Sequence, residues 1–155
     1  MKKTTILQEL LRELENDLHR LQAANEEASA GAKHSEARAE TKWDTCGLEA
    51  SYLARGHAQQ FKALAAHVHE LRAFVAPSFK DTPIDVGALV EVEQDGEKML
   101  FFLLPFGGGV ELNIEDREVT VITPESPIGA TLIDKKEGDG YSFRAGMTGN
   151  VLSVS

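Results

Sequence analysis

Two apolar runs in the first 77 residues mirror each other about position 41, and this commits half of the chain to a helical hairpin. The first run is Leu7, Leu11, Leu14, Leu18 and Leu21; the second is Phe61, Leu64, Val68, Leu71 and Val75. Both step by three and four residues, the period of about 3.5 that defines a coiled-coil seam. Pairing positions whose numbers sum to 82 sets Leu7 on Val75, Leu11 on Leu71, Leu14 on Val68, Leu18 on Leu64 and Leu21 on Phe61. The same register continues through Asn25 and His57 to the small pairs Ala28 with Ala54, Ala32 with Ala50 and Ser35 with Gly47, so the chain reverses near Thr41. At ~1.5 Å rise per residue, a limb of about 33 residues reaches roughly 50 Å. Such a limb is a probe, longer than its own stability requires.

The remaining residues must build a separate core. Charge divides unevenly: residues 1–77 carry ten Lys or Arg against eleven Asp or Glu, and residues 78–155 carry six against fourteen. Autonomous DNA binding, which neutralises phosphates with Lys and Arg, is excluded by that balance, and a basic partner surface is the natural complement. The sequence shows no long apolar span and no apolar leader core, which implies a cytoplasmic protein without a membrane segment. Cys46 stands alone, with neither a disulfide partner nor companion zinc ligands. Asn25 and His57 form the one polar rung, which suits a pair that fixes alignment.

Helix one is expected to start at Thr4 or Thr5 and to run into the Lys33 to Arg38 region; helix two starts near Asp44 or Thr45 and ends before Pro77. Residues 78–83 form a linker, after which the period changes to two. Strands are expected over Val86 to Val92 and Lys98 to Leu104, joined at the hairpin dipeptide Asp95-Gly96. Val110 to Ile114 is a short extended or packing segment, and Glu118 to Ile122 a further strand. Ser126 caps a short helix with Pro127 at its first position, and strands Gly140 to Arg144 and Gly149 to Val154 follow. The expected fold class is therefore α+β: an antiparallel coiled-coil hairpin over 1–77 and a domain over 84–155 with a curved antiparallel sheet and one short helix.

Ser126-Pro-Ile-Gly-Ala-Thr-Leu-Ile-Asp-Lys-Lys-Glu-Gly-Asp139, with Val86-Gly-Ala-Leu-Val-Glu-Val92 upstream, resembles the C-terminal domain of the bacterial transcript-cleavage and elongation factors GreA and GreB. Leu48-Glu-Ala-Ser-Tyr-Leu-Ala-Arg55 and the acidic tip look like a divergent subgroup of that family. The resemblance implies an FK506-binding-protein-like (FKBP-like) C-terminal domain that docks on RNA polymerase, with Pro124, Ser126, Pro127 and Ile128 in the docking region. It also implies a hairpin that enters the polymerase secondary channel and brings acidic residues to the catalytic centre. Glu40 and Asp44 are the candidates to help hold Mg2+ of the polymerase active site, and the chain needs no cofactor of its own. Glu36, Lys42, Trp43 and Glu49 are the further tip contacts, with backtracked RNA within reach inside the complex.

The family's cleavage motif is an Asp followed three residues later by a Glu, whereas here Asp44 follows Glu40 by four. Three functions stay open. The first is an accessory factor, not itself an enzyme, that stimulates cleavage of backtracked RNA. The second is a non-cleaving occupant that competes with other secondary-channel factors. The third, from fold analogy, is a peptidyl-prolyl isomerase, for which Phe101, Phe102, Phe106, Tyr141 and Phe143 supply the aromatics. A hairpin that satisfies its own seam implies a monomer.

Overall fold

The structure, a computed structural model, describes the backbone of residues 1–38 and 45–155 and the side chains of residues 1–31 and 55–155. Two helices come first, α1 (Lys3–Arg38) and α2 (Thr45–Ala73). Six strands follow: β1 (Leu89–Gln94), β2 (Glu97–Leu103), β3 (Glu111–Ile114), β4 (Arg117–Ile122), β5 (Gly140–Ser142) and β6 (Thr148–Val154). A six-residue helix, α3 (Pro127–Leu132), lies between β4 and β5. By its packing the chain forms two units, Leu11–Ala73 and a second made of Met1–Leu10 with Phe74–Ser155.

In the helical unit, Leu14, Val68 and Leu71 are buried, and Leu11, Leu18, Leu21, Phe61 and Leu64 are half-buried. Arg72 Nη2 donates to Glu15 Oε1 at 2.5 Å, so the last turn of α2 lies beside the early turns of α1 and the chain reverses between them. The rung expected between Leu7 and Val75 does not form. Helix α2 stops at Ala73 and Val75 is 85% exposed, because the approach to Pro77 takes the chain out of the α region. The fully buried positions at the start of α1 are Ile6 and Leu10 rather than Leu7, since these first turns belong with the sheet, where Leu10 lies by Gly107. His57 Nδ1 is buried without a hydrogen-bond partner among the described residues, so the expected polar rung is not made through that atom.

The six strands form one sheet in the order β3-β4-β2-β1-β6-β5. The expectation of a purely antiparallel sheet is corrected: β2 and β4 are parallel, with Leu100 opposite Val119 and Leu103 opposite Ile122. The cause is the break at Pro105 and the glycines after it, which carry the chain past one strand position. Strand β3 then forms the edge, and its hairpin with β4 returns in the direction of β2. The β1–β2 hairpin turns at Asp95 and Gly96 with φ of 54° and 83°, the paired positive values a tight hairpin requires. The β3–β4 hairpin does the same at Glu115 and Asp116, without a glycine to announce it.

Apolar residues occupy both faces of β2, which explains its uninterrupted run. Phe101 and Leu103 join Val90, Val92, Val151 and Leu132 in one core, while Leu100 and Phe102 alternate to the other face with Val119 and Val121. At ~25 cal/mol per Å² of apolar area, each such side chain contributes about 2 kcal/mol when fully buried. Lys3 fixes the start of α1 within this unit. Its ammonium donates to the carbonyls of Pro77 at 2.6 Å and Gly87 at 2.9 Å and lies 4.8 Å from the centre of the Phe79 ring. Burial holds Lys3 below the usual lysine range.

Candidate functional site

The signature from Ser126 to Asp139 builds one local structure. Ser126 is extended, with φ −65° and ψ 147°, and its hydroxyl caps α3 by accepting from Gly129 N–H at 3.1 Å. The same hydroxyl donates to the Thr123 carbonyl at 2.6 Å, and Ser126 N–H donates to that carbonyl at 3.0 Å. Pro127 follows at the first helical position, where its missing N–H costs nothing. Gly129 is required by close approach, because a Cβ there would lie 1.9 Å from the Thr123 carbonyl oxygen. Helix α3 is therefore locked onto the end of β4 by the residue types the sequence pattern singles out.

The second half of the signature ties α3 back to the sheet. Leu132 is fully buried, and Ile128 and Ile133 pack against the same core. Ile84 exchanges bonds with the segment after α3, donating to the Lys135 carbonyl at 2.8 Å and accepting from Asp134 N–H at 3.0 Å. The Asp139 carboxylate accepts from Lys136 N–H at 2.8 Å, and Gly138 N–H donates to the Val151 carbonyl at 2.9 Å.

Of the expected docking residues, Pro127 is exposed while Pro124, Ser126 and Ile128 are half-buried. The structure brings the four together at the start of α3, with Ser126 and Pro127 performing the capping roles read from the sequence. Glu40, Lys42, Trp43 and Asp44 lie outside the described residues. Glu36 falls in α1 and Glu49 in α2, but their side chains are likewise outside the description. Among the described residues no group of His, Cys, Asp or Glu is arranged to hold a metal ion.

The aromatics named for the isomerase reading are mostly interior. Phe101, Phe102, Phe106 and Tyr141 are buried, so they build the core rather than an open cleft. Phe143 packs against the core with the Arg144 guanidinium 5.1 Å from its ring centre. Tyr141 Oη donates to Gln94 Oε1 at 3.2 Å, and burial, then the Asp95 carboxylate, raise its phenol above the usual range. Sequence reasoning missed two sets of polar contacts. One is Lys3 at the Pro77 and Gly87 carbonyls. The other is Glu91 on β1, which meets Lys98 on the adjacent β2 at 3.9 Å and, across β2, Arg117 on β4 at 3.3 Å. No local sequence signal marks either, because the first joins residues 74 and 84 positions apart and the second depends on strand order.

Among the described residues no helix is long and apolar enough to cross a membrane. No family model matches the chain, and no curated protein matches it in sequence. Solved structures do align with it along nearly their full lengths. One is described as the transcription factor Gfh1, at 19% identity over 94% of this chain and 93% of that one, with a TM-score of 0.38. A second is the GreA factor homolog 1 (Gfh1) protein of Thermus thermophilus, at 17% identity over 94% of each chain and a TM-score of 0.37. A third, Gfh1 of Thermus aquaticus, is 19% identical over 92% of each chain, also with a TM-score of 0.37.

Proposed function

We propose that this chain is a Gre-like transcription elongation factor that binds RNA polymerase, inserts its helical hairpin into the secondary channel and modulates elongation there. One observation carries the reading: two helices of 36 and 29 residues precede a mixed-sheet domain in which the Ser126 to Asp139 signature forms a capped helix and its return to the sheet. A 36-residue helix spans roughly 50 Å at ~1.5 Å per residue, a length suited to reaching a buried centre. In this reading α1 and α2 pair as a coiled coil and the C-terminal unit is FKBP-like, docking through Pro124, Ser126, Pro127 and Ile128. The protein acts as a cytoplasmic monomer and an accessory, with the polymerase supplying the active site.

The chemistry assigned to the tip is modest. A two-metal site clamps both the attacking and the leaving oxygen of a phosphodiester, and Mg2+ needs only one or two carboxylates beside its waters. Glu40 and Asp44 would supply those carboxylates to the polymerase's Mg2+ while Glu36, Lys42, Trp43 and Glu49 meet the channel wall or backtracked RNA. The four-residue step between Glu40 and Asp44, where the family has three, favours a second reading, a channel occupant that excludes other factors without stimulating cleavage.

Both readings are tested on a stalled, backtracked elongation complex of the cognate polymerase, with binding and RNA cleavage followed in the same samples. Faster cleavage that is lost in the Glu40→Ala, Asp44→Ala double variant, with binding retained, supports the first. Binding without faster cleavage supports the second, and absence of binding overturns both.

A further inference from the structure

We propose that the outer edge of β3 accepts an extended segment of a partner protein whose residues alternate basic and apolar. Strand β3 ends the sheet order. Val121 N–H donates to the Val110 carbonyl at 2.8 Å, and antiparallel bonding repeats at every second pair, so Leu112 and Ile114 face β4 with their backbone groups. Glu111 and Asn113 therefore turn N–H and C=O outward, and among the described residues no hydrogen bond is made on that side. A row of alternating donors and acceptors is matched by another extended backbone.

The side chains specify which backbone. Glu111 and Asn113 are exposed on one face, with Glu118 opposite Asn113 and also exposed. Glu115 and Asp116 stand exposed at the hairpin end, while the Arg117 guanidinium is engaged by Glu91 at 3.3 Å. Leu112 and Ile114 are buried on the other face. An added strand lays alternate residues beside Glu111 and Asn113 at roughly 5 Å between Cβ atoms. Lys or Arg at those positions would meet Glu111 and Glu118, and the intervening residues, beside Leu112 and Ile114, would be apolar. A second copy of this chain does not meet the specification, since its own β3 would bring Glu111 and Glu118 against the same carboxylates.

The test uses the full-length, 15N-labelled protein and two probes, acetyl-Lys-Val-Lys-Val-Lys-Val-amide and the corresponding Glu-Val peptide. The Lys-Val peptide is expected to shift β3 amides and slow the exchange of Glu111 and Asn113 N–H, and the Glu-Val peptide to do neither. Asn113→Pro removes an outward donor but no ladder bond, and should weaken binding roughly tenfold. Glu111→Lys, which leaves the backbone intact, should weaken it several-fold and turn the preference toward the Glu-Val peptide. Three results would overturn the proposal: both variants binding the Lys-Val peptide like wild type, shifts scattered over the acidic surface without protection at 111 and 113, or protection there that grows with protein concentration alone.

Discussion

Gly129→Ala is the substitution whose cost follows most directly from the structure. The new Cβ would lie 1.9 Å from the Thr123 carbonyl oxygen and 2.8 Å from Ser126 Oγ. Ordinary contacts need about 3.5 Å, so the start of α3 must move by roughly 1.5 Å. That displacement removes three hydrogen bonds: Ser126 N–H and Ser126 Oγ–H to the Thr123 carbonyl, and Gly129 N–H to Ser126 Oγ. At ~1 kcal/mol net each, the loss is about 3 kcal/mol. The higher helix propensity of alanine returns about 1 kcal/mol, leaving a net cost of about 2 kcal/mol. With a urea dependence of ~1 kcal/mol per M, the unfolding midpoint should fall by about 2 M, followed through the amide resonances of β1 and β6. Ser126→Ala loses both hydroxyl bonds without a clash and should cost about 1 to 2 kcal/mol. A Gly129→Ala variant as stable as wild type would refute the close-approach argument.

Lys3→Met leaves the Pro77 and Gly87 carbonyls without their donor, and the net loss should be about 1 kcal/mol by urea midpoint; an unchanged midpoint would show that the ammonium contributes nothing. Because burial lowers the Lys3 pKa in the folded state, the unfolded chain binds more protons between the lowered value and the ordinary lysine value. Stability attributable to Lys3 should therefore rise with pH through that window, and Lys3→Met should abolish the rise. Tyr141 has the opposite sign: its raised pKa means the unfolded chain loses the phenol proton first, so stability falls as pH passes the ordinary tyrosine value. Tyr141→Phe should remove that fall, and a pH profile above neutrality identical to wild type would contradict the assignment.

Much of the fold is legible because the residues that specify it act locally. Asp95-Gly96 dictates its turn, and Ser126-Pro127 dictates both the start and the cap of α3. The 3.5-residue period fixes the inward sides of α1 and α2 over Leu14 to Leu21 and Phe61 to Leu71. Legibility ends where a distant element takes over. Ile6 and Leu10 are buried in place of Leu7 because the first turns of α1 belong with the sheet, and a helical period cannot state which partner a face will meet. The parallel pairing of β2 with β4 is equally hidden, since an apolar run on both faces is compatible with either direction. The Glu115-Asp116 turn went unread because the backbone there has positive φ without glycine or asparagine to signal it. At the start of α3, the residue types of the signature are those required for capping, so this part of the sequence pattern is accounted for by folding.

The central claim is that the hairpin tip reaches the catalytic centre of RNA polymerase. It is tested most directly by placing a photoactivatable cross-linker at Trp43 in the full chain and irradiating its complex with the cognate polymerase. The account expects cross-links to polymerase residues around the catalytic Mg2+, reduced when Ile128→Asp weakens docking. Cross-links confined to the outer surface of the polymerase, or to free nucleic acid without polymerase, would contradict it.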